Sequence, residues 1–243
     1  MSDIILNVDQ IHTFIGQFHI LEGVSLEVPK NSITVILGRN GAGKTTTLKS
    51  ILGLTPPRDG KIIYRNQEIQ GKRAYDIVNI GIGYVPENRA IFSNLSVLEN
   101  LKIAERKKGD LDKKSEFIFE LFPDLKRLYK LPGNHLSGGQ QQMLAVARAL
   151  VPDNQLLLID EPSEGLAPIL IQQMMEAIRL LSKQTTILLV EQNFIMASQL
   201  AENYYIIDDG MTVKNGKMTE LINDIETIHH YLGTDVVKPG GAK

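Results

Sequence analysis

The chain has no cysteine in its 243 residues. That excludes disulfides, cysteine–zinc sites and thiol catalysis, and it fits a reducing compartment. No stretch approaches the ~20 consecutive apolar residues that cross a bilayer. The start MSDIILNVDQ lacks the basic region and long apolar core of a secretory signal. Any work at a membrane is therefore expected to need another chain to span it. Neither sign of charge dominates, with a formal net charge of -2. Nucleic acid is disfavoured as the principal ligand, because no polybasic footprint is present. The histidines His12, His19, His135, His229 and His230 show no metal-ligand spacing and carry no assignment. There is no internal repeat and no low-complexity block.

What is present is an ordinary soluble composition, 43% hydrophobic and 22% charged, enough for one large α/β domain with a subdomain. We place that domain at residues 1–235. The small, polar, Pro/Gly-rich end Val236–Lys243 reads as a flexible tail.

The chain is organised around Gly38, Arg39, Asn40, Gly41, Ala42, Gly43, Lys44, Thr45 and Thr46. These residues satisfy the phosphate-loop pattern G-x-x-x-x-G-K-[ST] from Gly38 to Thr45. The context is right as well. The apolar run Ile33–Leu37 reads as a buried parallel strand, and Thr45–Leu52 as the helix leaving the loop. Glycines let successive N–H groups turn inward toward oxygen anions, and a Cβ would obstruct both the turn and the approach. Lys44 can reach β- and γ-phosphates, the Thr45 hydroxyl can ligand Mg²⁺, and the helix start adds the positive end of its dipole. A triphosphate nucleotide is the predicted ligand.

Around this centre, Ile4–Val8 and Val24–Val28 read as antiparallel strands and Lys61–Tyr64 as a short one. Between the first two, Phe14 either stacks on a nucleotide base or plugs a sheet edge. Strand Ile82–Val85 stops at Pro86, and Glu87 follows where a carboxylate can touch Mg²⁺ or water. From about Asn94 to Leu150 the chain reads as a helical insert. Ser96 and Glu99 form a capping box, helices are predicted over Val97–Ala104 and Leu111–Leu121, and the basic run Arg106–Lys108 reads as a solvated loop. The insert ends in Leu136-Ser137-Gly138-Gly139-Gln140, a second potential anion nest ahead of a helix predicted over Gln141–Leu150.

Leu156–Glu161 is an apolar strand ending in two carboxylates, at the edge where an open α/β sheet presents ligands. Asp160 suits Mg²⁺, directly or through water, and Glu161 suits orientation or deprotonation of an attacking water. Thr185–Val190 is a further strand, with Glu191-Gln192-Asn193 at its end, and the Gln192 amide can serve both a phosphate oxygen and a water. Tyr204–Val213 reads as a hairpin through Asp209-Gly210, followed by one helix, Met218–Leu232.

The phosphate loop, the LSGGQ run Leu136–Gln140 and the LLLIDEP run Leu156–Pro162 together resemble the nucleotide-binding subunit of ATP-binding cassette (ABC) transporters. The resemblance implies a P-loop NTPase (RecA-like) core with an N-terminal antiparallel β subdomain and a helical ABC subdomain. It implies ATP and Mg²⁺ as ligands, with Thr45, Glu87 and Asp160 around the metal and Lys44, Glu161 and Gln192 in catalysis. It further implies that Ser137, Gly138, Gly139 and Gln140 contact a nucleotide held by a second ATP-binding subunit, in a homodimer or a heterodimer with a sibling ATPase. Membrane permease subunits, and indirectly a solute-binding protein, are the implied partners, and the cytoplasmic face of the cell membrane is the implied location.

Glu87, Gln192 and Ala167 stand where most of the family has Gln, His and Asp, and the family's adenine-stacking aromatic aligns nearer Ile15. With GIGYVPENRAIF and LLVEQN, that combination is similar to the LivF-type ATPase of branched-chain or hydrophobic amino acid importers. Urea and amide importers and lipopolysaccharide exporters use much the same motifs. Non-transport ABC ATPases commonly carry two cassettes or long coiled-coil insertions, which this chain lacks. A P-loop kinase would leave LSGGQ unexplained, and a nucleotide-regulated binding module without catalysis remains a further alternative.

Overall fold

In the computed structural model, which describes residues 3–233, the first strands are longer than predicted: β1 covers Ile4–Ile15 and β2 covers Phe18–Pro29. Gly16 supplies the positive φ of 62° needed for the tight turn between them. The antiparallel register then runs from Ile4 opposite Pro29 to Ile15 opposite Phe18, interrupted by bulges. Bulges let the strands pass polar residues such as Gln10, whose N–H bonds the Ser25 hydroxyl at 2.9 Å. The apolar positions Leu6, Val8, Ile11, Leu21, Val24 and Leu26 remain buried.

The chain continues through β3 (Ile33–Leu37) and helix α1 (Lys44–Ile51) into β4 (Asp59–Tyr64) and β5 (Gln67–Glu68). The first sheet has the order β2-β1-β4-β5. All five residues of β3 are buried, the signature of a strand covered on both faces.

The chain folds as two compact units, Met1–Lys72 with Leu189–Lys243, and Arg73–Leu188. The second begins with α2 (Ala74–Asn79) and β6 (Ile82–Val85), continues through α3 (Val97–Lys102), α4 (Asp110–Leu121), α5 (Pro123–Arg127) and α6 (Gly138–Leu150), and ends with β7 (Leu156–Asp160), α7 (Pro168–Ser182) and the start of β8 (Thr186–Val190). Strands β6 and β7 pair in parallel from Ile82 opposite Leu156 to Val85 opposite Ile159.

The capping box expected at Ser96 and Glu99 is present. Helix α6 starts three residues before the predicted Gln141, because Ser137 is itself the N-cap and Gly138-Gly139 form the first helical positions. Helix α7 was not predicted. It opens on Pro168, a residue favoured in the first turn, and buries Met174, Met175, Ile178 and Leu181 on one face.

The chain returns to the first unit through the last residues of β8, then α8 (Phe194–Leu200), β9 (Asn203–Asp208), β10 (Met211–Lys217), α9 (Met218–Leu221) and α10 (Ile225–Leu232). Strand β9 lies between β10, antiparallel to it, and β3, parallel to it from Thr34 opposite Asn203 to Leu37 opposite Ile206. The single helix expected over Met218–Leu232 is thus two. Asp224 breaks it by acting as N-cap for α10, accepting from Thr227 N at 3.1 Å and the Thr227 hydroxyl at 2.7 Å. The tail Val236–Lys243 lies outside the described residues.

Candidate functional site

The loop after β3 has the geometry of a phosphate cradle. Gly41 holds φ 83°, and a Cβ there would meet nothing within 4 Å. The glycine is required by backbone conformation and leaves its concave side open. Gly43, at φ 108°, is the N-cap of α1 and supplies no side-chain acceptor. The first-turn N–H groups of α1 are therefore directed at whatever anion approaches. A Cβ on Gly43 would stand 2.7 Å from Leu21 Cδ2.

The Lys44 ammonium is buried and donates to Gly38 O at 3.0 Å and Arg39 O at 3.1 Å. Lys44 thereby spans its own loop. Arg39 O also accepts from Ala42 N at 3.2 Å, and Ala42 O accepts from Gly210 N at 3.0 Å. The turn between β9 and β10 braces the cradle from the side. Asn40 is exposed at the tip, and Thr45 and Thr46 follow in the first turn of α1, half buried.

Gln192 belongs to the same unit and sits in a pinned segment. The buried Glu191 carboxylate accepts from Gln192 N at 3.1 Å and Asn193 N at 3.0 Å. Glu191 N in turn donates to Ile36 O of β3 at 3.1 Å. Sequence reasoning gave Glu191 no role. Its apolar run followed by polar residues was visible, but not which carboxylate turns inward.

Phe14 is engaged by neighbours in its own sheet. Its ring stacks on His19 with centroids 4.1 Å apart and planes 3° from parallel, and the Arg58 guanidinium lies 4.1 Å from its centroid. Both contacts lie within the first unit.

In the second unit β7 delivers Asp160 fully buried. The neighbouring strand supplies Tyr84, whose hydroxyl donates to Asp160 Oδ2 at 3.1 Å. Burial, and then the Asp160 charge, push the Tyr84 phenol well above its ordinary range. It therefore remains a proton donor at any physiological pH. Tyr84 was missed in the sequence, because an aromatic on an apolar strand carries no sign of the partner beside it.

Glu161, one residue past the strand, adopts φ 44°, a left-handed conformation costing a non-glycine residue roughly 1–2 kcal/mol. Such strain concentrates at functional positions. Glu87 lies exposed after Pro86. Partial desolvation of its carboxyl, then a hydrogen bond to Glu164 and repulsion from that side chain, Glu161 and Asp160, hold its pKa above the usual range.

The N-terminus of α6 is closed by a reciprocal capping box. Ser137 N donates to Gln140 Oε1 at 2.9 Å and Gln140 N donates to Ser137 Oγ at 3.3 Å. With Oγ accepting, the hydroxyl proton of Ser137 is free to point outward. Gly139 is buried and Gly138 exposed, with Arg89 beside the latter: a Cβ there would lie 3.3 Å from its Nη1.

Among the described residues no three His, Asp or Glu side chains gather as a metal cage. The buried Asp160 carboxylate in the second unit and the Thr45 hydroxyl in the first are each a hard oxygen donor of the type Mg²⁺ takes. Among the described residues no helix is long and apolar enough to cross a membrane.

A glycine-lined anion cradle at the end of a buried parallel strand defines the class as a P-loop nucleotide-binding α/β protein. Comparisons with known proteins narrow it. The "ABC transporter" family model matches residues 21–164. The chain is 40% identical over 231 residues, 94% of its length and 99% of the relative's, to the high-affinity branched-chain amino acid transport ATP-binding protein BraG of Pseudomonas aeruginosa. It is 38% identical over 210 residues, 85% of its length and 89% of the relative's, to the probable branched-chain amino acid transport ATP-binding protein LivF of Archaeoglobus fulgidus. Its fold matches a crystal structure of the ADP conformation of an ATP-binding cassette of an ABC transporter, with TM-score 0.82, 26% identity, and coverage of 96% of this chain and 100% of that one. This chain belongs to the ABC transporter family. It is a LivF/LivG-type ABC ATPase that binds nucleotide and hydrolyses ATP.

Proposed function

We propose that this ATPase drives import of branched-chain or other hydrophobic amino acids through membrane permease subunits, working as a peripheral protein on the cytoplasmic face. The observation that supports the choice of solute is the 40% identity, over nearly the whole of both chains, to a protein named for branched-chain amino acid transport.

The catalytic reading assigns each residue a task. Main-chain N–H groups from Gly38 to Thr46, Arg39, Asn40 and Ala42 included, cradle the phosphates, and Lys44 exchanges its loop carbonyls for β- and γ-phosphate oxygens. Mg²⁺, when bound, neutralises phosphate charge, and Thr45 and Asp160 would hold it, with Glu87 a further carboxylate nearby. Tyr84 keeps Asp160 oriented. Glu161 accepts a proton from the attacking water, while Gln192, as a neutral group, positions that water by hydrogen bonds about half as strong as charged ones. Phe14 would stack on an adenine base only after His19 or Arg58 leaves its ring.

Ser137, Gly138, Gly139 and Gln140 serve a nucleotide bound to a second subunit, with the Ser137 proton donated to its γ-phosphate. ATP binding thus joins two subunits, and hydrolysis parts them. The test is reconstitution with membrane permease subunits that co-purify with it. Glu161→Gln should retain ATP binding, lose nearly all turnover and trap a closed dimer. Leucine uptake should follow ATP hydrolysis in the unaltered protein. Normal turnover in Glu161→Gln would overturn the catalytic assignment. Coupling to urea or to lipopolysaccharide release in place of leucine would overturn the solute.

A further inference from the structure

Helix α10 has no part in the scheme above, yet one of its backbone groups is bonded to the phosphate loop. Arg39, the second residue of that loop, donates from Nη2 to His230 O at 2.9 Å across 191 positions of sequence. His230 stands in the last turn of α10, where carbonyls have no partner within the helix. The helix closes on Gly233, at φ 65°, whose N–H takes the His229 carbonyl at 3.2 Å. The next carbonyl is the one Arg39 takes, and a guanidinium there also meets the negative end of the helix dipole.

The other end of α10 is fixed too. The Lys214 ammonium of β10 donates to Asp224 Oδ2 at 2.6 Å and to the Thr227 hydroxyl at 2.5 Å, and Ile228 is fully buried beneath the helix. A helix anchored at its start therefore presents a fixed acceptor at its finish. Through the Arg39 side chain that acceptor restrains the residue whose own carbonyl holds Lys44 at 3.1 Å.

We infer that α10 is a brace for the phosphate loop and that Arg39 is a positioning residue, acting on ATP affinity through the loop and Lys44 rather than by touching the nucleotide with its side chain. The inference rests on the assignment of Gly38–Thr46 as the ATP site. A restrained loop loses less conformational freedom when phosphates bind, so releasing it weakens binding while leaving the chemistry at Glu161 in place.

The experiment measures ATPase KM and kcat, and equilibrium binding of a fluorescent ATP analogue, for Arg39→Ala, Arg39→Lys, the chain ending at Asn223, and the truncated chain with Arg39→Ala. Arg39→Ala should raise KM about three- to tenfold, less than the loss of a charged hydrogen bond made directly to phosphate, because the restraint is exposed and acts through the loop, with a smaller change in kcat. Arg39→Lys should recover part of the loss. In the truncated chain Arg39→Ala should add nothing, because residues acting through one contact are not additive.

An undiminished effect of Arg39→Ala in the truncated chain would overturn the inference in favour of direct nucleotide contact, and an unchanged KM in the full chain would overturn it outright. Should truncation prevent folding, hydrogen exchange on the full-length protein decides. Arg39→Ala should speed exchange in the last turn of α10, and unaltered exchange there refutes the brace. Lys44→Ala is the reference: if it too leaves nucleotide affinity intact, the failure lies with the assignment of the loop and not with Arg39.

Discussion

Two glycines in the first unit provide a controlled test of the phosphate cradle. Gly41 has φ 83° and Gly71 has φ 76°, and a Cβ built on either meets no atom within 4 Å. Replacement by alanine therefore causes no clash at either position, and the cost is the left-handed backbone alone, roughly 1–2 kcal/mol each. For a chain of this size that corresponds to a fall in Tm of about 2–8 °C, similar in the two variants.

Their effects on nucleotide should diverge. Only at Gly41 does the added methyl enter the space through which loop N–H groups reach phosphate. Losing one charge-assisted hydrogen bond of about 1.5–3 kcal/mol weakens binding roughly 10- to 100-fold. The strain itself is present in free and bound protein alike and largely cancels from the affinity. Thermal unfolding and titration with a fluorescent ATP analogue, run on Gly41→Ala and Gly71→Ala side by side, read the two quantities separately. Equal losses of affinity in the two variants, or an undiminished affinity in Gly41→Ala, would refute the cradle reasoning.

Further outcomes follow from the charged groups. Tyr84→Phe removes a donor to a buried carboxylate that keeps other interactions, and should lower stability by about 1–2 kcal/mol, read as a drop in Tm. Asp224 is held down to about 2 by hydrogen bonds from Lys214, first, and Thr227. Its stabilisation is present above the ordinary aspartate range and is lost as pH falls between about 4 and 2. Asp224→Asn, still able to cap α10, should flatten the acid limb of a Tm–pH profile in that window. Glu87 has the opposite sign. With its pKa raised by partial desolvation, Glu164 and the neighbouring carboxylates, its contribution is present in acid and lost as pH rises through the raised value. Glu87→Gln, neutral throughout, should gain Tm relative to the unaltered protein as pH is raised from 4 to 8.

The parts of this molecule written in short-range patterns were legible in its sequence. The phosphate loop depends on glycine spacing over a few residues, and the Ser96 capping box and the buried runs of β3 and β7 are local too. What needed the structure was set by partners far along the chain. Phe14 is claimed by Arg58, Asp160 by Tyr84, and Arg39 by α10. The division of the last helix at Asp224 depends on Lys214 as well as on the cap itself. Helix α7 was missed for a different reason. Its N-cap Ala167 makes no side-chain cap bond, so a start marked by polar capping residues was not there to be found.

The bracing of the cradle by Gly210 bears on how the protein comes off the ribosome. The glycine-rich loop is fully translated by Thr46, yet one parallel neighbour of its strand begins at Asn203 and the amide that secures Ala42 belongs to Gly210. At about 5–20 residues per second, on the order of ten to thirty seconds of elongation separate the loop from its supports. Throughout that interval the nascent polypeptide carries the complete motif without the contacts that shape it, so the cradle takes its final form only after Gly210 has been made.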